Sequence, residues 1–258
     1  MNTRDIHSMF NLSDKVAVIT GASKGIGREI SLLLADAGVD VVIIARNRTE
    51  LEEVAAEIKE KGRRVLIIPL DITRTEDVEL AVEQIIQYYG AIDILVNNAG
   101  INIPKPAVEV TESDWDRVMD LNLRSAFFVS QAVGRQMIKQ KRGKIIHISS
   151  QMAFVGYYDR AAYCSSKGGL TQMMKALAIE WAPYQVNVNA IAPTFIETQM
   201  TKNMFEKEEF RRDVLSRIPM GRLAKPEDLF GAILFLASGT SDMVTGQTIV
   251  VDGGWTVW

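Results

Sequence analysis

Short apolar runs alternate with longer amphipathic segments along most of the chain, and this alternation limits the folds that it can form. Residues 15–20, rich in β-branched side chains, precede a glycine-rich turn and a helical pattern that ends before Gly38. Further strands are predicted at residues 39–45, 64–70, 92–97, 144–149, 186–192 and 248–251, with helices at 49–61, 75–89, 114–140, 160–181 and 226–238. Apolar strands separated by helices are typical of a parallel sheet covered on both faces. The sequence therefore predicts an α/β fold with a doubly wound parallel sheet.

Composition excludes several classes of function. The 258 residues include two His and one Cys, too few for a structural zinc site or a Cys/His cluster, so no metal site is expected. The formal net charge of −3 provides no basic footprint for nucleic acid. No apolar run approaches the ~20 residues of a membrane helix, and residues 1–7 do not begin a signal peptide. Because Cys164 has no internal partner for a disulfide, a cytoplasmic protein without nucleic-acid or membrane partners is expected.

One domain is expected over residues 1–258, because no repeat, low-complexity tract or change of composition divides the chain. Undivided α/β domains often reach ~250 residues. Residues 194–225 differ from the rest, since they are polar, rich in Met and placed between a predicted strand and a predicted helix. A lid over a ligand site commonly occupies such a position. An ordinary packed helical insertion is the alternative.

The turn after the first predicted strand contains Gly21, Gly25 and Gly27. Glycines at this point permit a tight turn and let the backbone approach a pyrophosphate, while the helix N-terminus offers free N–H groups and partial positive charge. The spacing is G-x-x-x-G-x-G, which differs from the general dinucleotide fingerprint and from the Walker loop. A glycine-rich turn without a ligand is the alternative, but its place at the first strand–helix turn favours a dinucleotide site.

The end of the second predicted strand indicates which dinucleotide would bind. NAD-binding chains usually carry Asp or Glu about 20 residues beyond the glycines, where the carboxylate bonds to the ribose hydroxyls. Here the strand end reads Ala45-Arg46-Asn47-Arg48, with Arg46 in that position. Arg can bind a 2′-phosphate bidentately, and Lys24 in the glycine turn adds a second cation. The pattern therefore favours NADP(H), with NAD as the less favoured alternative.

Four more motifs follow in order: Asn97-Asn98-Ala99-Gly100, Asn122, Ser149-Ser150, and Tyr163 with Lys167 four residues later. Together with the glycine turn, they make the chain resemble the short-chain dehydrogenase/reductase superfamily over residues 12–255. This resemblance implies a single-domain, Rossmann-type NAD(P)-binding fold. It also implies an oxidoreductase that transfers a hydride between the cofactor and a secondary alcohol or ketone.

The resemblance assigns catalytic roles to four side chains. Tyr163 would be the general acid/base, and Lys167, one helical turn away, would favour the phenolate and hold the nicotinamide ribose. Ser150 would orient the substrate oxygen, and Asn122 would hold a water in a proton relay to Lys167. The expected cofactor contacts are Gly21, Ser23, Lys24, Gly25, Ile26, Gly27, Arg46, Asn47, Asp71, Ile72, Asn98, Ala99, Gly100, Tyr163, Lys167, Pro193, Ile196 and Thr198. Thr194 stands where the family usually has Gly after Pro, and a β-branched residue tolerates fewer backbone conformations, so the loop beside the nicotinamide is expected to follow a different path there.

Substrate contacts are expected from Ser150, Gln151, Tyr157, Tyr163 and Thr194, several of which suit a hydroxylated compound. Within the superfamily the chain is similar to the gluconate 5-dehydrogenase and 3-oxoacyl-carrier-protein reductase groups. A sugar acid or polyol is favoured as substrate, because Tyr184 stands where the carrier-protein reductases tend to have Arg. A carrier-linked ketoreductase is the alternative, and a non-catalytic cofactor-binding sensor or scaffold is a remote one.

The resemblance further implies a homotetramer, in which the apolar ending with Trp255 and Trp258 would be covered, unless it packs on its own subunit. Met220 could join other Met side chains in an adaptable apolar wall. Two residues are given ordinary interpretations. His147 is expected to be a hydrogen-bonded strand histidine, and Cys164 a packed or loosely exposed thiol rather than a nucleophile.

Overall fold

Seven parallel strands form one sheet in the computed structural model, which describes residues 6–197 and 205–257. The order across the sheet is β3-β2-β1-β4-β5-β6-β7. The strands are β1 (Val16–Thr20), β2 (Asp40–Ala45), β3 (Val65–Pro69), β4 (Ile94–Asn97), β5 (Gly143–Ile148), β6 (Val186–Pro193) and β7 (Thr248–Val251). Every predicted strand is present, and the doubly wound parallel sheet is confirmed.

Helices cover both faces of this sheet, with strand-to-strand crossovers as the alternating sequence pattern requires. Within the described residues they are α1 (Ile6–Met9), α2 (Gly25–Asp36), α3 (Arg48–Glu60), α4 (Thr75–Tyr89), α5 (Glu112–Met119), α6 (Ser125–Gln140), α7 (Ala161–Trp181), α8 (Glu208–Ser216) and α9 (Phe230–Ala237). None of these helices is both long enough and apolar enough to cross a membrane.

The apolar core lies in two layers, one on each side of the sheet. All five residues of β1 are buried, as are all six of β5, because each strand is covered from both faces. One layer joins α2, α3 and α9 to the sheet, and the other joins α4, α6 and α7. Burial of this kind stabilises the fold by roughly 25 cal/mol per Å² of apolar surface removed from water.

Local signals fix where the helices begin and end. The Asn47 side chain accepts hydrogen bonds from the backbone N–H groups of Thr49 and Glu50, so it caps the start of α3. Gly90 ends α4 in the left-handed conformation, at φ +81°, which glycine adopts without steric cost. A capping box between Thr111 and Asp114 starts α5.

The helix predicted at residues 114–140 is divided by a π-helical turn. Residues 120–124 form this turn between α5 and α6, and the N–H of Ser125 bonds to the carbonyl of Asp120, five residues back. A π-turn inserts one extra residue without interrupting the helix, so the apolar periodicity on either side does not reveal it. The turn contains the buried Asn122.

The segment at residues 194–225, predicted to be a lid, contains α8 in its described part, and its role as a lid stays a prediction. Helix α8 belongs to a third apolar cluster in which Val214, Ile218 and Trp255 are buried against Tyr157 and neighbouring aromatic side chains. Trp255, expected at an exposed terminus, is 6% exposed and packs on its own subunit. Thr198 lies outside the described residues, as does Trp258.

Candidate active site

The predicted cofactor residues gather at the carboxyl ends of the strands, on both sides of the point where the strand order reverses between β1 and β4. Dinucleotides bind at this switch point in open parallel sheets. Gly21 has φ +66°, and a Cβ on it would lie 2.9 Å from Cα of Ala99. A Cβ on Gly27 would overlap the Gly21 carbonyl oxygen and the side-chain amide of Asn98. Glycine is therefore required at both positions for the two loops to approach each other.

Thr20 and Asn98 hold the two loops together. Thr20 Oγ1 accepts hydrogen bonds from the N–H groups of Asn98 and Ala99, at 3.1 and 3.2 Å. The Asn98 amide donates to the carbonyls of Thr20 and Gly21, at 3.0 and 3.1 Å. The Asn98 side chain thus supports the glycine turn, a role that the expectation of a cofactor contact did not include.

The end of β2 presents basic groups and no carboxylate. Arg46 is exposed, and no ion pair to it occurs within residues 6–197 and 205–257. Lys24 is also exposed and lies 4.0 Å from the carboxylate of Glu50. The side-chain oxygen Oδ1 of Asn47 caps α3, so that atom already has partners. Arg46 is therefore the cation with the greater freedom to meet a phosphate.

The remaining cofactor candidates follow the ends of β3 and β6. Asp71 accepts hydrogen bonds from the N–H and hydroxyl of Thr73, and Ile72 is buried behind it. Beyond Pro193, Ile196 forms an isolated parallel bridge with Ala224, and it is 4% exposed. These positions lie at the same edge of the sheet as the glycine turn, which suits an extended ligand along that edge.

Tyr163 and Lys167 project from the first turns of α7, one helical turn apart, with Lys167 Nζ 5.7 Å from the centroid of the Tyr163 ring. The Lys167 ammonium donates to the carbonyl of Ile148 at 2.8 Å, at the end of β5. A Cβ on Gly100 would lie 3.6 Å from that ammonium and 3.1 Å from Oδ1 of Asn122. Catalytic Lys and Asn candidates therefore meet beside the loop after β4.

Asn122 is held by the π-turn and by the loop after β4. Its side chain exchanges two hydrogen bonds of 2.8 Å with the backbone N–H and carbonyl of Ile101. Its amide also donates to Ser166 Oγ at 3.0 Å. Because the side chain already has these partners, any water that Asn122 holds for Lys167 would have to use the remaining capacity of its oxygen or its backbone carbonyl.

Ser150 starts the turn after β5 and is 7% exposed. Burial raises the pKa of the Tyr163 phenol, while hydrogen bonding to Ser150 and the charge of Arg160 oppose that shift. Burial also lowers the pKa of the Lys167 ammonium to about 8. In the chain alone, loss of hydration outweighs these favourable interactions, and the role of Lys167 in favouring the phenolate stays a prediction.

The residues expected to contact substrate have different surroundings. Gln151 is 1% exposed, and neither polar atom of its amide has a hydrogen-bond partner within the described residues. The Thr194 hydroxyl is likewise buried and unpartnered in this part of the chain, and Thr194 lines a cavity of about 230 Å³ with Met220. These atoms are sealed in the chain alone, so contact of Gln151 and Thr194 with a substrate stays a prediction.

Tyr157 joins a polar and aromatic cluster. Its hydroxyl donates to Asp213 Oδ2 at 2.7 Å, and its ring packs against Phe195 and Trp255. Arg217 completes the group by bonding to Asp213 through two nitrogens, at 3.0 and 3.1 Å. In this arrangement the Tyr157 hydroxyl fastens α8 to the loop after β5, and its oxygen can still accept a hydrogen bond, so the substrate contact stays a prediction.

Two buried side chains, His147 and Arg160, have surroundings that the sequence did not predict. His147 is fully buried, but its Nε2 has no partner within the described residues, so the expectation of a satisfied histidine is wrong for that atom. Arg160, buried three residues before Tyr163, was not singled out. A lone Arg outside any motif gives no signal in the sequence, although its spacing from Tyr163 places it on the first turn of the same helix.

Comparison with known proteins shows which family shares this sequence and fold. A family model described as enoyl-(acyl carrier protein) reductase matches residues 21–256. The chain is 43% identical over 251 residues to 2-dehydro-3-deoxy-D-gluconate 5-dehydrogenase of Escherichia coli strain K12, covering 97% of this chain and 98% of the relative. It is 42% identical to a 3-oxoacyl-(acyl-carrier-protein) reductase of Thermotoga maritima, with coverage of 94% and 98%.

A solved structure extends the likeness to three dimensions. Gluconate 5-dehydrogenase of Burkholderia cenocepacia, crystallised with NADP and tartrate, superposes with a TM-score of 0.95 at 35% identity, covering 98% of this chain and all of that one. With the glycine turn and the Ser, Tyr, Lys and Asn set at one edge of the sheet, these matches show that the chain belongs to the short-chain dehydrogenase/reductase family of oxidoreductases.

Proposed function

We propose that this protein is an NADP(H)-dependent dehydrogenase that interconverts a secondary alcohol and a ketone on a sugar acid or polyol. The observation that carries the proposal is the convergence of Ser150, Tyr163 and Lys167 beside the glycine turn at the carboxyl edge of the sheet. These are the side chains that a hydride-transfer enzyme of this family needs in addition to its cofactor.

The chain provides a site that fits NADP(H). Gly21 and Gly27 let the glycine turn pack closely against the loop after β4, while a Cβ on Gly25 would meet no atom within 4 Å. A pyrophosphate would bind there, at the start of α2, where free N–H groups and the helix dipole favour anions. Arg46 and Lys24 would hold the 2′-phosphate, and Lys167 the ribose hydroxyls. When bound, the nicotinamide supplies or accepts the hydride.

Protein groups would then manage the proton and the substrate oxygen. Ser150 donates a hydrogen bond that orients this oxygen, and Tyr163 gives its phenolic proton to the oxygen as a ketone is reduced, or accepts one as an alcohol is oxidised. The positive charge of Lys167 favours the resulting phenolate. Asn122, fixed at Ile101 and Ser166, would support the water through which a proton returns to Lys167.

The proposed substrate class rests on the relatives, because two of the compared proteins are named for gluconate-type acids. The runner-up is a carrier-linked ketoreductase, favoured by the 42% identity to the Thermotoga maritima enzyme. Tyr184, 44% exposed after α7, offers no charge to an acidic carrier protein. A non-catalytic sensor is less favoured because all four catalytic positions are filled.

Assembly and location are further parts of the proposal. The family resemblance supports a homotetramer, and the single Cys164 supports a cytoplasmic location. Burial of Trp255 within its own chain removes one argument for the tetramer. Light scattering that gives a monomer mass would exclude the tetramer.

Kinetics with alternative ketones test the substrate class. With NADPH, kcat/KM should be higher for 5-ketogluconate than for an acetoacetyl thioester, and the reverse order would favour the carrier-linked alternative. Tyr163→Phe should abolish turnover while NADPH still binds, because the proton donor is lost and the cofactor contacts remain. Retained turnover would contradict the catalytic assignment.

The cofactor preference has a separate test. NADPH should bind at least about tenfold more tightly than NADH, the ratio expected when one charge-assisted contact to the 2′-phosphate is present. Arg46→Asp should erode that ratio, because a carboxylate repels the phosphate and can bond to ribose hydroxyls. An unchanged ratio would show that Arg46 does not meet the phosphate.

A further inference from the structure

Arg160 is a buried arginine without a carboxylate partner. It is 5% exposed, and its Nη1 donates to the backbone carbonyl of Asp159 at 3.3 Å. Within residues 6–197 and 205–257, that neutral carbonyl is the one hydrogen-bond partner of the Arg160 guanidinium, and no Asp or Glu forms an ion pair with the guanidinium. Arginine is seldom buried to this degree unless it is paired, because a guanidinium loses much hydration on burial.

The free donors of Arg160 remain accessible. None of its nitrogens is among the sealed side-chain atoms that lack a partner, so the unbonded nitrogens reach solvent although the residue as a whole is covered. Loss of hydration lowers the pKa of the guanidinium, and the nearby Tyr157, Asp159, Tyr163 and Cys164 oppose that shift. A largely desolvated cation whose unbonded donors keep some exposed surface is suited to receive an anion.

The position of Arg160 puts this cation beside the catalytic phenol. Arg160 precedes Tyr163 by three residues at the start of α7, and its charge acts on Tyr163 and on Tyr157. The Asp159 carbonyl also accepts the N–H of Lys105 at 3.2 Å. This bond fastens the Arg160 backbone to the loop after β4, so the loops after β4 and β5 together fix its place.

We propose that Arg160 binds the carboxylate of the substrate acid, while Ser150 and Tyr163 engage the reacting oxygen farther along the same molecule. This inference rests on the proposed function, since it needs an acidic substrate. A guanidinium offers two parallel N–H donors to a carboxylate, which fixes orientation as well as affinity. Arg160 would thereby distinguish sugar acids from neutral polyols in the pocket.

The test compares an acid with its uncharged isostere. Reduction of 5-ketogluconate and of the corresponding amide is measured with NADPH for the wild type, Arg160→Gln and Arg160→Lys. For Arg160→Gln, kcat/KM on the acid should fall roughly 10- to 100-fold, mostly through KM, as expected for loss of a charged hydrogen bond. On the amide the change should stay below about threefold, and Arg160→Lys should recover part of the loss on the acid, because it restores the charge without the fork.

A matched control separates this effect from a general loss of positive charge. Arg64 bonds to Asp40 at the amino end of β3, on the opposite edge of the sheet, and its side chain is 62% exposed. Arg64→Gln should leave kcat/KM unchanged for both compounds. If kcat/KM of Arg160→Gln fell equally for the acid and the amide, Arg160 would act through Tyr163 and not through the substrate carboxylate. This result would overturn the proposal. If Arg160→Gln does not fold, as judged by circular dichroism, the same comparison is made with the uncharged variant Arg160→Met, whose undiminished preference for the acid over the amide would overturn the proposal.

Failure of the proposed function would give a different result. If the wild type reduces neither compound, the sugar-acid function fails, and calorimetry with tartrate, a dicarboxylate that needs no turnover, then tests Arg160 alone in the NADPH-loaded protein. Tartrate binding that Arg160→Gln weakens at least about tenfold would support an anion-binding Arg160. Absent binding, or binding of equal strength in the variant, would overturn it.

Discussion

His147 links the stability of the protein to pH through a single buried imidazole in β5. Nδ2 of Asn97 lies 3.4 Å from its Nδ1, and because an amide nitrogen only donates, Nδ1 accepts and the neutral ring carries its proton on Nε2. Burial, followed by the charge of Lys167, lowers the pKa of His147 to about 3. The ring therefore stays neutral in the folded protein at every pH near neutrality.

Acid should destabilise the fold through this residue. In the unfolded chain the imidazole has its ordinary pKa of about 6.5 and takes up a proton more readily than in the folded one. Its contribution to stability is then complete above pH 6.5 and is lost as the pH falls from 6.5 toward 3. With these two pKa values, the loss between pH 7.5 and pH 5 is about 2 kcal/mol.

The substitution His147→Leu removes this titration with little other change. Leu is apolar and of similar size, so it eliminates the unpartnered Nε2, and the Asn97 amide keeps its bond to Ser130 Oγ at 2.8 Å. Urea unfolding followed by Trp fluorescence at pH 7.5 and 5.0 gives the free energy of unfolding for both proteins. The wild type should lose about 2 kcal/mol more than the variant over this interval. Equal losses would refute the argument, since other titrating groups are common to both.

Two further substitutions test the glycine turn and the attachment of α8. Gly27→Ala should weaken NADPH binding at least about tenfold, because the added Cβ displaces the phosphate loop. Gly231→Ala is the control, since a Cβ on Gly231 in α9 would meet no atom within 4 Å, and the NADPH affinity measured by titration should stay unchanged. Tyr157→Phe removes the bond to Asp213, worth about 1 kcal/mol net, and should raise KM about two- to fivefold with kcat nearly constant, whereas Tyr184→Phe should change neither in steady-state assays. If Gly231→Ala weakened NADPH binding as much as Gly27→Ala, the role given to Gly27 would be wrong. If Tyr184→Phe raised KM as much as Tyr157→Phe, the role given to Tyr157 would be wrong.

The sheet could be predicted because its signals are local. Each strand is a run of β-branched and apolar residues between turn signals. A strand buried on both faces can be predicted from this run alone, without knowing which strands pair with it. The same holds for the glycine turn and for the pair Tyr163 and Lys167, whose spacing on a helix defines their geometry. The π-turn at residues 120–124 could not be predicted, because one inserted residue leaves the apolar pattern on both sides intact.

Contacts between distant segments account for what the sequence did not reveal. Tyr157 and Asp213 are 56 residues apart, and nothing at either position indicates that the hydroxyl of one meets the carboxylate of the other. The direction of the Tyr163 pKa shift in the chain alone depends first on burial, which the spacing of Tyr163 and Lys167 in the sequence does not reveal. Local pattern thus identified the reacting groups, whereas their environment depends on tertiary packing.

Buried polar groups concentrate at the carboxyl edge of the sheet. Their location separates the part of the chain that stabilises the fold, the two apolar layers, from the part that binds ligands. Lys167 bonds to one backbone carbonyl of β5, Arg160 to one neighbouring carbonyl, and the amide of Gln151 to no group within the described residues. Each of these groups costs folding free energy that the two apolar layers must offset. The same groups then need little reorganisation when ligand atoms take the place of water, so the destabilised edge is the part of the fold prepared to bind.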